Sequence, residues 1–93
     1  MKAEHEYIDW GFHCPACGYP YLNNPHHREP GGASYEICPS CGIQFGYDDD
    51  DLGISYLVWR ERWIANGMLW FSKSITPPNN WNAEVQLNQM DLN

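Results

Sequence analysis

Four cysteines in two matched pairs carry the most legible chemistry of this chain. Cys14-Pro15-Ala16-Cys17-Gly18 and Cys38-Pro39-Ser40-Cys41-Gly42 repeat one five-residue pattern, with twenty residues between the pairs. A Cys-x-x-Cys turn aims two sulfurs at one point, and the glycine after it relieves crowding where backbone N–H groups turn toward the sulfurs. Twenty residues suffice for a hairpin that brings the turns together. Cys14, Cys17, Cys38 and Cys41 are therefore expected to form one tetrahedral four-thiolate zinc site. Four thiolates fill the tetrahedron and leave no position for water or substrate, so the expected metal is structural rather than catalytic.

Other candidate chemistry is weaker. His5, His13, His26 and His27 do not stand at ligand spacing with a carboxylate or a cysteine outside the four already used, and His26-His27 reads as a loop pair. The acidic run Asp48, Asp49, Asp50 and Asp51 suggests calcium. A calcium loop started at Asp48 would place Leu52 at position five and Trp59 at position twelve, where a bidentate glutamate is required. The run is better read as a solvated lead-in to a helix, or as a docking surface for a basic protein. The cysteines are committed, no Ser, His and Asp set stands out, and Gly31-Gly32 lacks the lysine and helix of a phosphate loop. The chain is not expected to be an enzyme.

The elements that must position these residues can be read around them. Residues 7–47 are expected to form a metal-bound half laid out as knuckle, strand, loop, strand, knuckle. Its strands fall at Tyr19-Pro20-Tyr21-Leu22 and Ser34-Tyr35-Glu36-Ile37, a third short strand follows at 43–47, and the Pro-, Gly- and His-rich stretch to Gly31-Gly32 is an exposed loop. Residues 48–93 form a helical half. A helix begun by Gly53 or Ser55 runs from about Ile54 to Asn66 and closes at Gly67. Its apolar residues form two sets, one of Ile54, Leu57, Val58, Ala65 and Met68, the other of Tyr56, Trp59 and Trp63, with Arg60, Glu61 and Arg62 on the wet side. Met68-Leu69-Trp70-Phe71 is a strand or an extended crossing, and Pro77-Pro78 forbids a regular helix. Asn79 or Asn80 caps a last helix through Met90, with Trp81, Val85 and Asn88 on one face and Ala83, Leu87 and Met90 on the next.

The expected fold class is α+β: a small zinc ribbon of two knuckles and a β-hairpin, followed by a helical half packed on it, in one domain over residues 1–93. A chain of 93 residues buries a modest core, so a metal staple is physically sensible. Twelve acidic against five basic residues give a formal charge of -7, and four thiolates around a divalent cation add about two more negative charges. That charge argues against nucleic acid, whose affinity comes from neutralised phosphates, and favours a basic protein partner. The first residues lack the apolar stretch of a signal peptide, no segment has the apolar length of a membrane span, and metal-binding thiolates suit a reducing compartment. The expectation is a cytoplasmic protein, monomeric when free.

Two resemblances follow from these motifs. The paired Cys-Pro-x-Cys-Gly turns are similar to those of rubredoxin, which implies iron as the competing ion and an electron carrier as one alternative function. The loop between the pairs is shorter here, and residues 48–93 have no counterpart in that fold. More of the chain resembles bacterial cysteine-rich proteins of the CPCC type. Cys14-Pro15-Ala16-Cys17-Gly18-Tyr19, Ser34 to Gly42, the run Asp48 to Asp51, Trp63 to Gly67, Trp70-Phe71-Ser72 and Pro77 to Asn82 carry that resemblance. Ala16 and Ser40 stand where such relatives often have a third adjacent cysteine. The resemblance implies a zinc-bound ribbon and an immunity protein that neutralises a cognate bacterial toxin. In that reading Asp48 to Asp51 with Tyr47, Tyr56, Trp59 and Trp63 meet a toxin domain with a basic surface. An adaptor ribbon that docks on a larger cytoplasmic complex is the other alternative.

Overall fold

Each Cys-x-x-Cys turn is closed at its base by a single antiparallel bridge, Phe12 to Leu22 around the first and Ile37 to Gln44 around the second. The computed structural model describes residues 12–28, with backbone alone at Arg28, and residues 32–90. His5, Trp10 and Gly31 lie outside the described residues. Between the knuckles, strand β1 (His27–Arg28) pairs with β2 (Gly32–Ala33) in the register His27 to Ala33 and Arg28 to Gly32.

The pairing thus sits where the sequence reads as loop, and the segments expected as strands at 19–22, 34–37 and 43–47 contribute one bridging residue each, Leu22, Ile37 and Gln44. The reason is local. Leu22 bonds back to Phe12 across its own knuckle, Glu36 and Cys38 on either side of Ile37 bond to Phe45 and Ile43 across theirs, and Tyr35 adopts φ 60, which breaks any extended run through 34–37. Residues 43–47 do not continue as a strand either, because Gly46 at φ 97 turns the chain into a single π-helical turn, Tyr47–Asp51. Asp48 accepts the Gln44 N–H at 2.8 Å and Asp49 accepts the Gly46 N–H at 2.6 Å, so the acidic run folds the turn that carries it.

Helix α1 (Tyr56–Ala65) is capped by Ser55, one of the two expected positions, and its first residue falls two later than the expected Ile54. Ser55 has extended backbone, and its hydroxyl accepts the Val58 N–H at 3.1 Å. The helix closes through Asn66 and Gly67, the latter at φ 96. Its aromatic set packs inward: Trp63 is buried, and Tyr56 and Trp59 lie against the core. Leu57 and Val58 of the aliphatic set face solvent.

Residues 68–82 run without regular structure across the second knuckle. Helix α2 (Ala83–Met90) is capped by Asn82, whose Oδ1 accepts the Val85 N–H at 3.0 Å. The cap therefore falls two or three residues later than expected, since Asn80 sits at φ 61 in the preceding turn. Val85 is exposed, and Gln86 is the residue that α2 buries. The result is a small α+β molecule whose core is centred on the four cysteines, with Ala16, Tyr19, Leu22, Ile43, Phe45 and Trp63 around them.

Candidate metal centre

The two knuckles are near copies in backbone geometry. Cys14 N–H donates to the Tyr19 carbonyl at 2.8 Å and Cys38 N–H to the Ile43 carbonyl at 2.9 Å; Gly18 N–H closes on the Cys14 carbonyl at 2.9 Å and Gly42 N–H on the Cys38 carbonyl at 2.8 Å. Gly18 at φ 88 and Gly42 at φ 85 hold the left-handed turn that this closure requires.

These turns bring all four sulfurs within 4.8 Å of one another. The Cys14–Cys41 and Cys17–Cys38 sulfur pairs stand 3.8 and 3.7 Å apart. Four sulfurs about 2.3 Å from a common ion span tetrahedral edges of about 3.8 Å. Both pairs match that edge, and both are far beyond the ~2.05 Å of a disulfide. Cys14, Cys17 and Cys38 are fully buried and Cys41 is nearly so. The residues present thus fit a four-coordinate metal, and the four cysteines form a site able to hold one.

The sulfurs share their protons unevenly. Hydrogen bonds from Cys14, then Cys38 and Cys41, drive Cys17 toward the thiolate against the effect of burial. Burial first holds Cys38 as a thiol, and hydrogen bonding with Cys14 does the same for Cys41. A divalent cation ends that competition, because all four sulfurs can then be anionic at once.

Every carbonyl of the two Cys-x-x-Cys turns finds a donor, and the outward ones are served by residues 59–86. In the first knuckle the Arg60 guanidinium donates from Nε to the Ala16 carbonyl at 2.7 Å and from a terminal nitrogen to the Pro15 carbonyl at 3.0 Å, while Gln86 Nε2 reaches the Cys17 carbonyl at 3.2 Å. In the second knuckle the Phe71 and Ser72 N–H groups serve the Pro39 and Ser40 carbonyls, and Trp59 Nε1 donates to the Cys41 carbonyl at 3.2 Å. Arg60 was expected on the wet side of α1. Its long stem instead carries the guanidinium onto the first knuckle, placing a fixed cation beside the cysteine cluster.

Gln86 has no precedent in the sequence reading. Its Nε2 also donates to the buried Ser40 hydroxyl at 3.0 Å and its Oε1 accepts Trp81 Nε1 at 2.8 Å, so one amide ties α2 to both knuckles. The only sequence signal was a glutamine at i+3 and i-1 of apolar Ala83 and Leu87, which reads as surface without the knowledge that carbonyls await it.

The expected partner residues do not form one face. Trp63 is buried, with Nε1 donating to the Leu69 carbonyl at 3.1 Å, so it does not project from the surface as an anchor. Trp59 is half-buried over the second knuckle, and Tyr56 donates to Asp49 Oδ2 at 2.6 Å. That bond, together with N–H donors from Gly46 and Asp50, outweighs burial and holds Asp49 below the usual carboxylate range, while burial first and Asp49 second push the Tyr56 phenol up. Tyr47, Asp50 and Asp51 remain exposed.

The histidine pair also differs from its expectation. β1 carries His27 to the acidic turn, with Nε2 2.9 Å from Asp50 Oδ2 and 3.7 Å from Asp49 Oδ2, and the Nδ1 atoms of His26 and His27 face each other at 2.8 Å. One must donate where the other accepts. Burial, and then the charge of His27, lower the pKa of His26.

The fold and site define a small α+β protein built around four cysteines that can hold a metal. Among curated proteins, the chain is similar to an uncharacterized protein, YoaQ, of Bacillus subtilis: 31% identical over 72 residues, covering 62% of this chain and 61% of that protein. The chain thus spans about three fifths of that relative's length. No family model matches the sequence, and no solved structure matches it.

Proposed function

We propose that this chain is a non-enzymatic zinc-ribbon protein, a single domain whose metal is structural, and that it acts by binding and neutralising a cognate bacterial toxin. The observation that carries the metal reading is the enclosure of Cys14, Cys17, Cys38 and Cys41: tetrahedral edge lengths, burial of all four, and every knuckle carbonyl satisfied. A catalytic metal needs an open position reached by solvent. Zinc suits four thiolates in such a closed site, and an iron site would have the same shape, so the ion is decided by its spectrum.

The binding half of the proposal rests on the net charge of -7, the exposed Tyr47, Asp50 and Asp51, and the resemblance to CPCC-type proteins. Asp48 and Asp49 are engaged in folding the turn, so the exposed Asp50, whose Oδ2 meets His27, and the exposed Asp51 are the carboxylates placed to meet a basic cleft. The test is affinity capture of the tagged protein from its native bacterium, with mass spectrometry of the partner and metal analysis of the same eluate. A toxin domain recovered with a colourless protein holding one zinc per chain is the expected result, and D50N/D51N should weaken that complex at low salt more than at high salt. A housekeeping complex in the eluate would replace the toxin reading with the adaptor. Iron together with a redox partner would replace it with electron transfer.

A further inference from the structure

The face opposite in charge to the acidic turn is a groove beside the second knuckle. Trp59, Trp63, Trp70 and Phe71 wall a depression of about 490 Å³, with Arg62 and Lys73 at its edge. A second depression of about 510 Å³ adjoins it, sharing Phe71 and Lys73 and walled further by Ile37 and Ile75. Twelve carboxylates belong to this chain, and among the described residues none lines either depression. Five cations belong to it as well. Arg60 is spent on the first knuckle, and Arg62 and Lys73 both stand here, while the ion pairs among the described residues are those of His27 with Asp49 and Asp50.

The groove is exposed and held in shape. Leu69 is 70% exposed and Phe71 55% exposed, more than core side chains of a small protein leave in water. Yet the segment that forms its rim is pinned: Trp63 Nε1 holds the Leu69 carbonyl, Trp70 Nε1 holds the Ile75 carbonyl at 2.7 Å, and the Phe71 N–H is fixed to the second knuckle. Binding here would order little of the protein that is not already ordered.

From this arrangement we infer that the groove docks a peptide segment of a partner protein in which apolar or aromatic side chains flank an aspartate or glutamate. Two apolar depressions that share Phe71 and Lys73 take two side chains, and Lys73, common to both, takes the carboxylate together with Arg62 of the first. Single-stranded nucleic acid also stacks on tryptophans beside cations, but two cations on a chain of charge -7 do not offset its many phosphates. The inference is independent of the toxin reading, which uses the acidic turn.

The test is selection on the full-length, metal-loaded protein from a phage-displayed library of random dodecapeptides, followed by fluorescence titration of the enriched peptide. A consensus of apolar residues around Asp or Glu is expected, bound at least about tenfold more weakly by R62E/K73E and unaffected by D50N/D51N. Both altered pairs are exposed side chains, so metal content and circular dichroism should match wild type. No enrichment, a basic consensus, or equal binding by R62E/K73E would overturn the inference. So would oligothymidylate binding that depends on Arg62 and Lys73. Self-association abolished by R62E/K73E would place a second copy in the groove instead, and a tenfold gain in peptide affinity on replacing Tyr7, Ile8 and Trp10 with alanine would place this chain's own first residues there. Either result would remove the partner peptide.

Discussion

At the scale of single residues, the most consequential side chains are two polar ones that serve backbone carbonyls. Replacing Gln86 by leucine strips the Cys17 carbonyl, the Ser40 hydroxyl and Trp81 Nε1 of a partner in a buried place, and Arg60→Met does the same to the Pro15 and Ala16 carbonyls. Each substitution should lower unfolding stability by about 1–3 kcal/mol with the metal still bound, measured by urea denaturation. Arg60→Lys should recover only part of the loss, because an ammonium cannot reach both carbonyls in the guanidinium's fork. Gly18→Ala should cost more than Gly53→Ala. Both sit at positive φ, which alone costs about 1–2 kcal/mol, but a Cβ on Gly18 would come within 2.7 Å of Met90 Cγ and 2.8 Å of the Gln86 carbonyl, whereas nothing stands within 4 Å of one on Gly53. Equal losses at the two glycines would show that α2 does not press on the first knuckle. None of these roles could be read from residue type, since arginine and glutamine at 60 and 86 occupy positions that an isolated helix would expose.

At the scale of elements, the acidic turn and β1 are coupled through His26 and His27. His26 stacks near Phe45 and Tyr56, and its Nδ1 meets that of His27. Because its pKa is lowered on folding, the unfolded chain binds this proton more readily than the native one. The stability linked to His26 is therefore fully present above its unfolded pKa of about 6.5 and is lost as pH falls through the lower native value. An NMR titration of the metal-loaded protein should place the His26 midpoint below 6.5, and a midpoint at or above it would remove the coupling. Asp49 acts in the same direction at lower pH: its depressed native pKa gives stability that is present above about pH 4 and lost on further acidification. The helices were legible as elements, Ser55 and Gly67 marking α1 by their own chemistry. The hairpin was not, because a two-residue pairing in a stretch of proline, glycine and histidine has no alternating pattern to announce it.

At the scale of the whole molecule, the two cysteine knuckles and the segment 59–86 are one hydrogen-bonded unit. The knuckles present carbonyls outward, and α1, the Phe71–Ser72 strip and α2 answer them. Loss of the metal should therefore not leave the helices standing on their own. Chelation, or Cys38→Ser, should abolish the far-ultraviolet helix signal and the tryptophan fluorescence of the native state in one concerted transition. Helical signal that survives chelation with a separate melting step would show two independent halves.

The sequence by itself determined the four ligand candidates, the twin knuckles, the presence of α1 with its closing Gly67, and the acidic character, because each rests on local spacing, on a cap or on a count of charges. Only the tertiary structure decided what the C-terminal half does. Carbonyls left over by a Cys-x-x-Cys turn are invisible in sequence, and the donors that reach them come from 18 to 69 residues away. The same long-range placement buried Trp63, turned Asp48 and Asp49 into turn-forming residues, and gathered Arg62 and Lys73 beside the tryptophans: which face of a short helix meets the core depends on the partners that folding brings to it.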